Sequence, residues 1–421
     1  MTHFRKFAII LTFVCFVLSI HGSLTYRNQV FDSKFKTLLV HPTSQPLNFP
    51  LIDLKSGSID ISFDVLSHQS LRLGYKIIHC NADWTKSELF ESEFMNGMRE
   101  NDFPDGLYSE STFVQYIHYR LRLPNENIQL KLSGNYALVV YDKDHPENTY
   151  LTACFMIIEP KASIEANITA DTDLGYKNKF QQLQFRIKPQ GFSMVMPEKE
   201  LKVKVLKNFG LDGEVNAVKP SSNDGFSYDF EHVKALVFHG GNEYRRFETT
   251  SSRFSGLNIT KTRIENNAVY SDIQLDNQRN LNYQYDQDQN GNYLIRTVDC
   301  MNDVNTCADY FWVNFSFKPD PSLRNSRMFI RGNLTAGMKK EDCEMLFDTD
   351  SKQFRKTLLL KQGSYNYRYS VESNDGLQDL SEQAEGSFWQ TENVYQILVY
   401  HRKFGAYADQ LVGFKEIKCA F

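Results

Sequence analysis

The sequence holds few of the local patterns that announce chemistry. No Gly-x-Ser-x-Gly elbow and no His-Glu-x-x-His pair occurs in its 421 residues, so serine-hydrolase and zincin reactions have no local signature. No nucleophile–base pair and no metal-ligand cluster stands out. The cysteines show no Cys-x-x-Cys or His-x-x-x-His spacing, which argues against zinc. The net charge of -4 is mild. Nucleic-acid binders carry a concentrated basic face, and this chain gives no reason to expect one. Helix-type apolar spacing is scarce. Beyond the first 20 residues no apolar run approaches the ~20 residues that a membrane-spanning helix needs.

The N-terminus sets the compartment. Arg5 and Lys6 precede an apolar run from Phe7 to Ile20. A charged start and an h-region too short to span a bilayer fit a secretory signal peptide, residues 1–22, with small residues Gly22 and Ser23 at the cut. The expectation is an exported, periplasmic product. Six cysteines then remain: Cys80, Cys154, Cys300, Cys307, Cys343 and Cys419. Cys300 and Cys307 flank one short loop and are the expected disulfide. The others read as buried thiols on apolar strands.

Aromatic residues are abundant, with 32 Phe and 22 Tyr, and aromatics favour strands. The length allows two to four domains. The fold class expected is all-β, as tandem immunoglobulin-like sandwiches over 23–159, 160–304 and 305–421.

In the first unit Ile59, Ile61, Phe63 and Val65 alternate with polar residues, a strand with one wet face. Three further stretches alternate in the same way: Tyr75–His79, Ser111–Pro124 and Ser133–Tyr141. Ser87 to Gly97 reads as a short helix capped by Ser87. Residues 101–111 are polar and turn-rich, an exposed loop with Asn101, Asp102, Phe103 and Tyr108 as candidate partner contacts. Trp84 reads as a core or loop anchor. Glu159-Pro160-Lys161 is a linker.

In the second unit 182–187 and 201–206 alternate cleanly. Gly240-Gly241 marks a turn, and Glu243, Arg245 and Arg246 suggest a structural ion-pair cluster rather than a catalytic carboxylate. Asp286-x-Asp288-x-Asn290-Gly291 matches half of an EF-hand loop. Its twelfth position is Thr297 instead of Glu, and Asn290-Gly291 between alternating flanks favours a hairpin turn without metal. In the third unit Tyr365, Tyr367 and Tyr369 share one strand face. They pack against the core or, as the alternative, stack on sugars.

Long ordered motifs carry a resemblance. They are His79 to Trp84 with Ser87; Thr112, Tyr116, His118 to Leu121 and Leu123 to Asn125; and Ser133 to Tyr136. These positions resemble the plug proteins of the type IX secretion system. Gly240-Gly241-Asn242-Glu243 with Arg245 and Phe247, Thr391-Glu392-Asn393 with Tyr395, and Asp409, Leu411 and Gly413 are similar to the same family, so the resemblance runs through all three units. The third unit also resembles early-set immunoglobulin-like domains, glycogen-binding modules among them.

The plug resemblance implies a non-enzymatic protein that seals the periplasmic mouth of a giant outer-membrane translocon barrel. It implies no cofactor, no small-molecule substrate and no nucleic acid. A carbohydrate-binding sandwich is the alternative reading, and an exported hydrolase a third.

Overall fold

The structure is a computed structural model describing residues 24–419. The expected signal peptide lies outside the described residues. Three β-sandwiches make up the body.

In the first, one sheet runs in spatial order Gln29–Val30, Thr149–Ile158, Gly134–Asp142, Leu73–Cys80 and Asn101–Asp102. The facing sheet runs Phe35–Pro42, Ile59–Val65, Ile117–Leu123 and Leu107–Tyr108. Ile61, Phe63 and Tyr119 from one layer meet Tyr136, Leu138 and Phe155 from the other, as two-residue periodicity requires.

The outer face of Ile59–Val65 is not wet. Asp60 and Asp64 are 2% and 1% exposed. Arg120 and Arg122 on the neighbouring strand cover Asp60, and the third sandwich covers Asp64. The helix expected over 87–97 is one turn, Glu91–Phe94. Phe90 caps it, and its N–H donates to the Glu93 carboxylate at 2.7 Å. The Ser87 hydroxyl is instead 3.0 Å from His79 Nδ1. From Met95 the chain leaves the turn as a strand paired with Ile128–Leu130.

The second sandwich joins Ala162–Thr169, Phe180–Pro189, Tyr228–Phe230, Ser222–Asn223 and Val237–His239 to a facing sheet. That sheet runs Glu214–Val215, Leu201–Lys207, Val394–His401 and Gln410–Lys418. Its core therefore mixes Leu183, Phe185 and Val205 with Tyr395, Ile397 and Val399. The Glu159–Lys161 connection is pinned, with Glu159 and Lys161 N–H groups bonded to the carbonyls of Leu411 and Val412.

The third sandwich, from Arg245–Glu248 to Gly363–Ser373, is one ten-stranded sheet folded on itself. Glu344–Asp348 turns the corner, pairing with Ser326–Arg331 through Met345 and with Gln353–Lys361 through Leu346 to Asp348.

The observed topology does not follow the boundary expected at 304/305. The third sandwich is inserted into the second, taking strands from both sides of residue 304, and the last two strands return to the second. Alternation shows which face of a strand is apolar, but not which strand pairs with it.

Tyr365, Tyr367 and Tyr369 are 2%, 1% and 0% exposed and lie inside this sandwich. Tyr365 stacks on Phe247, centroids 5.1 Å apart. The Tyr367 and Tyr369 hydroxyls donate to Asp276 at 2.8 and 2.7 Å. No sugar can reach them.

The 286–291 segment is a tight turn, with positive φ at Asn290 (50°) and Gly291 (86°). Only one flank is a strand, Tyr293–Ile295, and it pairs with Gly363–Tyr365 rather than with 281–285. Arg246 binds Asp286, and the Asp288 carboxylate accepts from the Tyr244 and Asn290 N–H groups.

Candidate functional site: the joints between the sandwiches

Side chains that the sequence marks as motifs converge where the sandwiches meet.

The joint between the first and third sandwiches centres on Asp64. Its Oδ1 lies 2.7 Å from His118 Nδ1, and its Oδ2 accepts from Tyr310 Oη at 2.7 Å and Lys361 Nζ at 2.6 Å. Burial alone would raise this carboxyl. Lys361 and His118 outweigh burial and hold it below the ordinary range. Lys361 also donates to the Asn305 carbonyl at 2.7 Å, and its ammonium sits 4.1 Å from the centre of the Tyr116 ring. The Tyr116 hydroxyl donates to the Ala308 carbonyl at 2.7 Å. Asp309 accepts from the Phe113 and Val114 N–H groups at 2.6 and 3.1 Å.

Cys300 and Cys307 are joined in a disulfide, Cα atoms 6.4 Å apart. The loop they close supplies the Asn305 carbonyl, and the Thr306 carbonyl takes the Glu110 N–H. The cross-link therefore sits in this joint. Cys80, Cys154, Cys343 and Cys419 are buried free thiols.

The joint between the first and second sandwiches centres on Asp409. Its carboxylate accepts from the Ala82 N–H and Lys202 Nζ at 2.9 Å each and from Arg402 Nε at 2.8 Å. Arg402 also donates to the Asn81 side chain at 2.5 Å. The Tyr400 hydroxyl donates to Asn135 Oδ1 at 2.9 Å. The His-Cys-Asn-Ala-Asp-Trp motif thus meets the C-terminal motif here. Trp84 anchors its own turn by backbone bonds to Asn81 and Tyr26.

The joint between the second and third sandwiches uses the Gly-Gly-Asn-Glu segment. A Cβ at Gly240 would lie 1.9 Å from the Phe388 carbonyl oxygen, so no other residue fits there. Lys207, pushed down to about 8 by burial, donates to the carbonyls of His239 and Gly240 at 2.6 and 2.8 Å. Asn393 Nδ2 donates to the Gly240 carbonyl at 2.8 Å. Asp212 takes the Tyr244 hydroxyl at 2.6 Å and Arg368 at 2.8 Å.

Glu243, Arg245 and Arg246 do not pair with one another. Alternate strand residues face opposite sides, so Arg245 points in to Asp276 and Glu385, while Arg246 points out to Asp286. Glu243 accepts from the Tyr283 hydroxyl and the Glu392 N–H at 2.6 and 3.0 Å. These carboxylates are held by fixed donors in packed joints, an arrangement that locks orientation.

A cleft of about 780 Å³ opens where all three sandwiches meet, lined by Phe49, Trp84, Leu206, Phe209 and Tyr293 among others. Among the described residues no group of three His, Cys, Asp or Glu is placed to hold a metal ion, and no helix is long and apolar enough to cross a membrane.

The 101–111 segment divides. Asn101 and Phe103 are tucked in, Asn101 bonded to the Met98 carbonyl and Phe103 packed on Phe63 at 5.2 Å. Asp102, paired with Lys143, and Tyr108 face solvent. The sequence reasoning missed Asp64, Lys361 and Asp409 as joint centres. For Asp64 the signal available was an acidic residue on the polar side of an otherwise apolar strand.

Residues 35–159 match the family model described as the type 9 secretion system plug protein first domain. The crystal structure of a hypothetical protein from Parabacteroides merdae is 36% identical, covers 94% of this chain and 100% of its own, and superposes with a TM-score of 0.90. A biofilm-associated protein BSP domain reaches a TM-score of only 0.18 at 8% identity, too little to carry an argument. No curated protein matches the chain. With its first sandwich matched and a relative of this identity aligned along nearly its whole length, the chain belongs to the type 9 secretion system plug protein family.

Proposed function

We propose that this protein is a non-enzymatic stopper, which binds the periplasmic mouth of the outer-membrane translocon barrel of the type IX secretion system and seals it when no cargo occupies it. The observation that carries the reading is the welding of three sandwiches by motif residues at every joint. A pore wide enough for folded cargo leaks solutes unless a body that does not deform occupies it. Three modules on loose linkers would flex under that load. Modules joined through Asp64, Asp409 and Asp212 hold one shape.

Binding must be reversible, because cargo passes. That calls for an interface of standard size, roughly 1,200–2,000 Å². Of the four candidate contacts, Asp102 and Tyr108 are the exposed side chains. The carbohydrate reading loses its supporting observation, because its tyrosine stripe is core. The protein reaches its place by export, with residues 1–22 removed.

Deleting the gene tests the reading. The outer membrane should become permeable to large antibiotics while secretion persists at least in part, since a stopper is not a motor. Unchanged permeability, or failure of the protein to co-purify with the barrel from native membranes, would overturn it.

A further inference from the structure

The second sandwich is welded to the third at one end. Its opposite end is formed by three turns, 190–196, 224–227 and 402–409, the last of which also holds the first sandwich through Arg402 and Asp409 at its two ends. Strand register puts them together: Ala162 and Tyr228 pair with Pro189 and Ile187, and Leu201 pairs with His401. Phe192 packs against His401, ring centroids 4.4 Å apart.

Each turn holds large apolar side chains out in water. Phe226 is 85% exposed, Val195 82%, Phe404 71% and Tyr407 63%. The turns are braced from within. Glu200 Oε1 accepts from the Val195 and Met196 N–H groups at 2.9 and 2.7 Å. Asp224 Oδ1 accepts from the Phe226 and Ser227 N–H groups at 2.9 and 2.6 Å. The Ala406 N–H closes its turn on the Lys403 carbonyl at 2.8 Å. The apolar tips are therefore presented outward by fixed backbone.

Lys199 and Lys403 stand exposed beside them, and neither takes an ion-pair partner among the described residues. Glu200, Asp224 and Asp409 at this end already accept other donors, which leaves Glu198 as the exposed acid next to Lys199.

We propose that this end docks on a phospholipid surface containing anionic lipid, with the four apolar tips entering the head-group and upper acyl region and the two lysines meeting lipid phosphate. The tips are prongs separated by polar residues, not one continuous face. A protein partner would need a matched pocket for each prong. A bilayer interface accepts separate prongs without shape matching, and aromatic side chains with flanking lysines suit that depth. This contact is additional to the barrel and independent of the stopper reading, because protein-free vesicles test it.

The test is co-sedimentation of the purified protein with vesicles of phosphatidylethanolamine and phosphatidylglycerol, and with vesicles of phosphatidylcholine alone. Phe226→Ser with Phe404→Ser should reduce binding at least tenfold. Leu346→Ser, an equally exposed site on the third sandwich, should leave it unchanged. Lys199→Glu with Lys403→Glu should weaken binding to the anionic vesicles and much less to the neutral ones. All variants should keep the wild-type melting temperature, since every site is solvent-exposed. Absence of vesicle binding, or binding untouched by the phenylalanine pair, overturns the proposal. Loss of a protein partner by the same pair without vesicle binding would make this end a protein interface instead.

Discussion

Asp64 and Asp409 each anchor a joint of the first sandwich, under opposite conditions. Asp64 and its partner Lys361 are 1% and 2% exposed. Asp409 is equally buried, but its cations Lys202 and Arg402 keep 39% and 31% of their side-chain surface in water. Both carboxylates also hold uncharged donors. Desolvating two charges costs several kcal/mol, and a dry pair repays that only with full hydrogen bonding. A pair whose cation stays wet gains less and risks less. The first joint is therefore all-or-none and the second forgiving. A body that must keep one outline while its partner changes has reason to make at least one joint brittle.

The largest expected effect comes from breaking the dry joint. Lys361→Met leaves the buried Asp64 carboxylate without its lysine and should cost about 3–5 kcal/mol. Asp64→Leu should cost a similar amount, because it strands Lys361. The double variant should cost clearly less than the sum of the two. Urea unfolding of the three variants checks this, and strictly additive losses would dissolve the contrast.

The disulfide adds to the same joint. Cys300→Ser should remove about 2 kcal/mol. It should speed amide exchange at 109–118, the segment held by the Asn305, Thr306 and Ala308 carbonyls, more than at Asn81–Trp84. Uniform exchange would separate the cross-link from the joint.

The wet joint should respond more mildly. Asp409→Asn keeps acceptor capacity and should cost about 1–2 kcal/mol. Its partly solvated cations make that cost shrink in high salt, whereas the Lys361→Met cost should barely move. Equal salt responses would erase the distinction drawn between the two joints.

How much of this was legible differs between parts of the fold. The strands were, because Ile59 to Val65 and Leu201 to Leu206 alternate whatever they pair with. The joints were legible only as motifs. His118, Tyr116 and Asn393 stood out by resemblance, yet nothing local says that His118 and Lys361 share Asp64. The Asp64–Lys361 bond links residues 297 apart in sequence. The insertion of the third sandwich was hidden for the same reason: Val203 pairs with Val399, and apolar faces carry no address. Phe103 misled because a polar, turn-rich segment can still put one aromatic into the core.

The smallest expected effect concerns a carboxylate without any cation. Asp288, at the joint of the second and third sandwiches, accepts, among the described residues, only N–H groups from Tyr244 and Asn290, and it faces Glu243 and Asp212. Burial, with those two like charges, pushes it up from the ordinary 3.8 to about 7, against the pull of its two N–H donors. Between these values the folded state holds a proton that the unfolded chain has lost, so stability falls as pH rises from about 4 to 7. Asp64 has the reverse sign: held low, its stabilisation is full above the ordinary carboxylate range and lost as pH drops below it. Asp288→Asn should flatten the slope between pH 4 and 7. Because water reaches the half-buried side chain, the gain at pH 7.5 should be about 1 kcal/mol. Melting temperatures across that range check it. An unchanged slope would mean that Asp288 titrates as an ordinary carboxylate, and that the second and third sandwiches tolerate its charge.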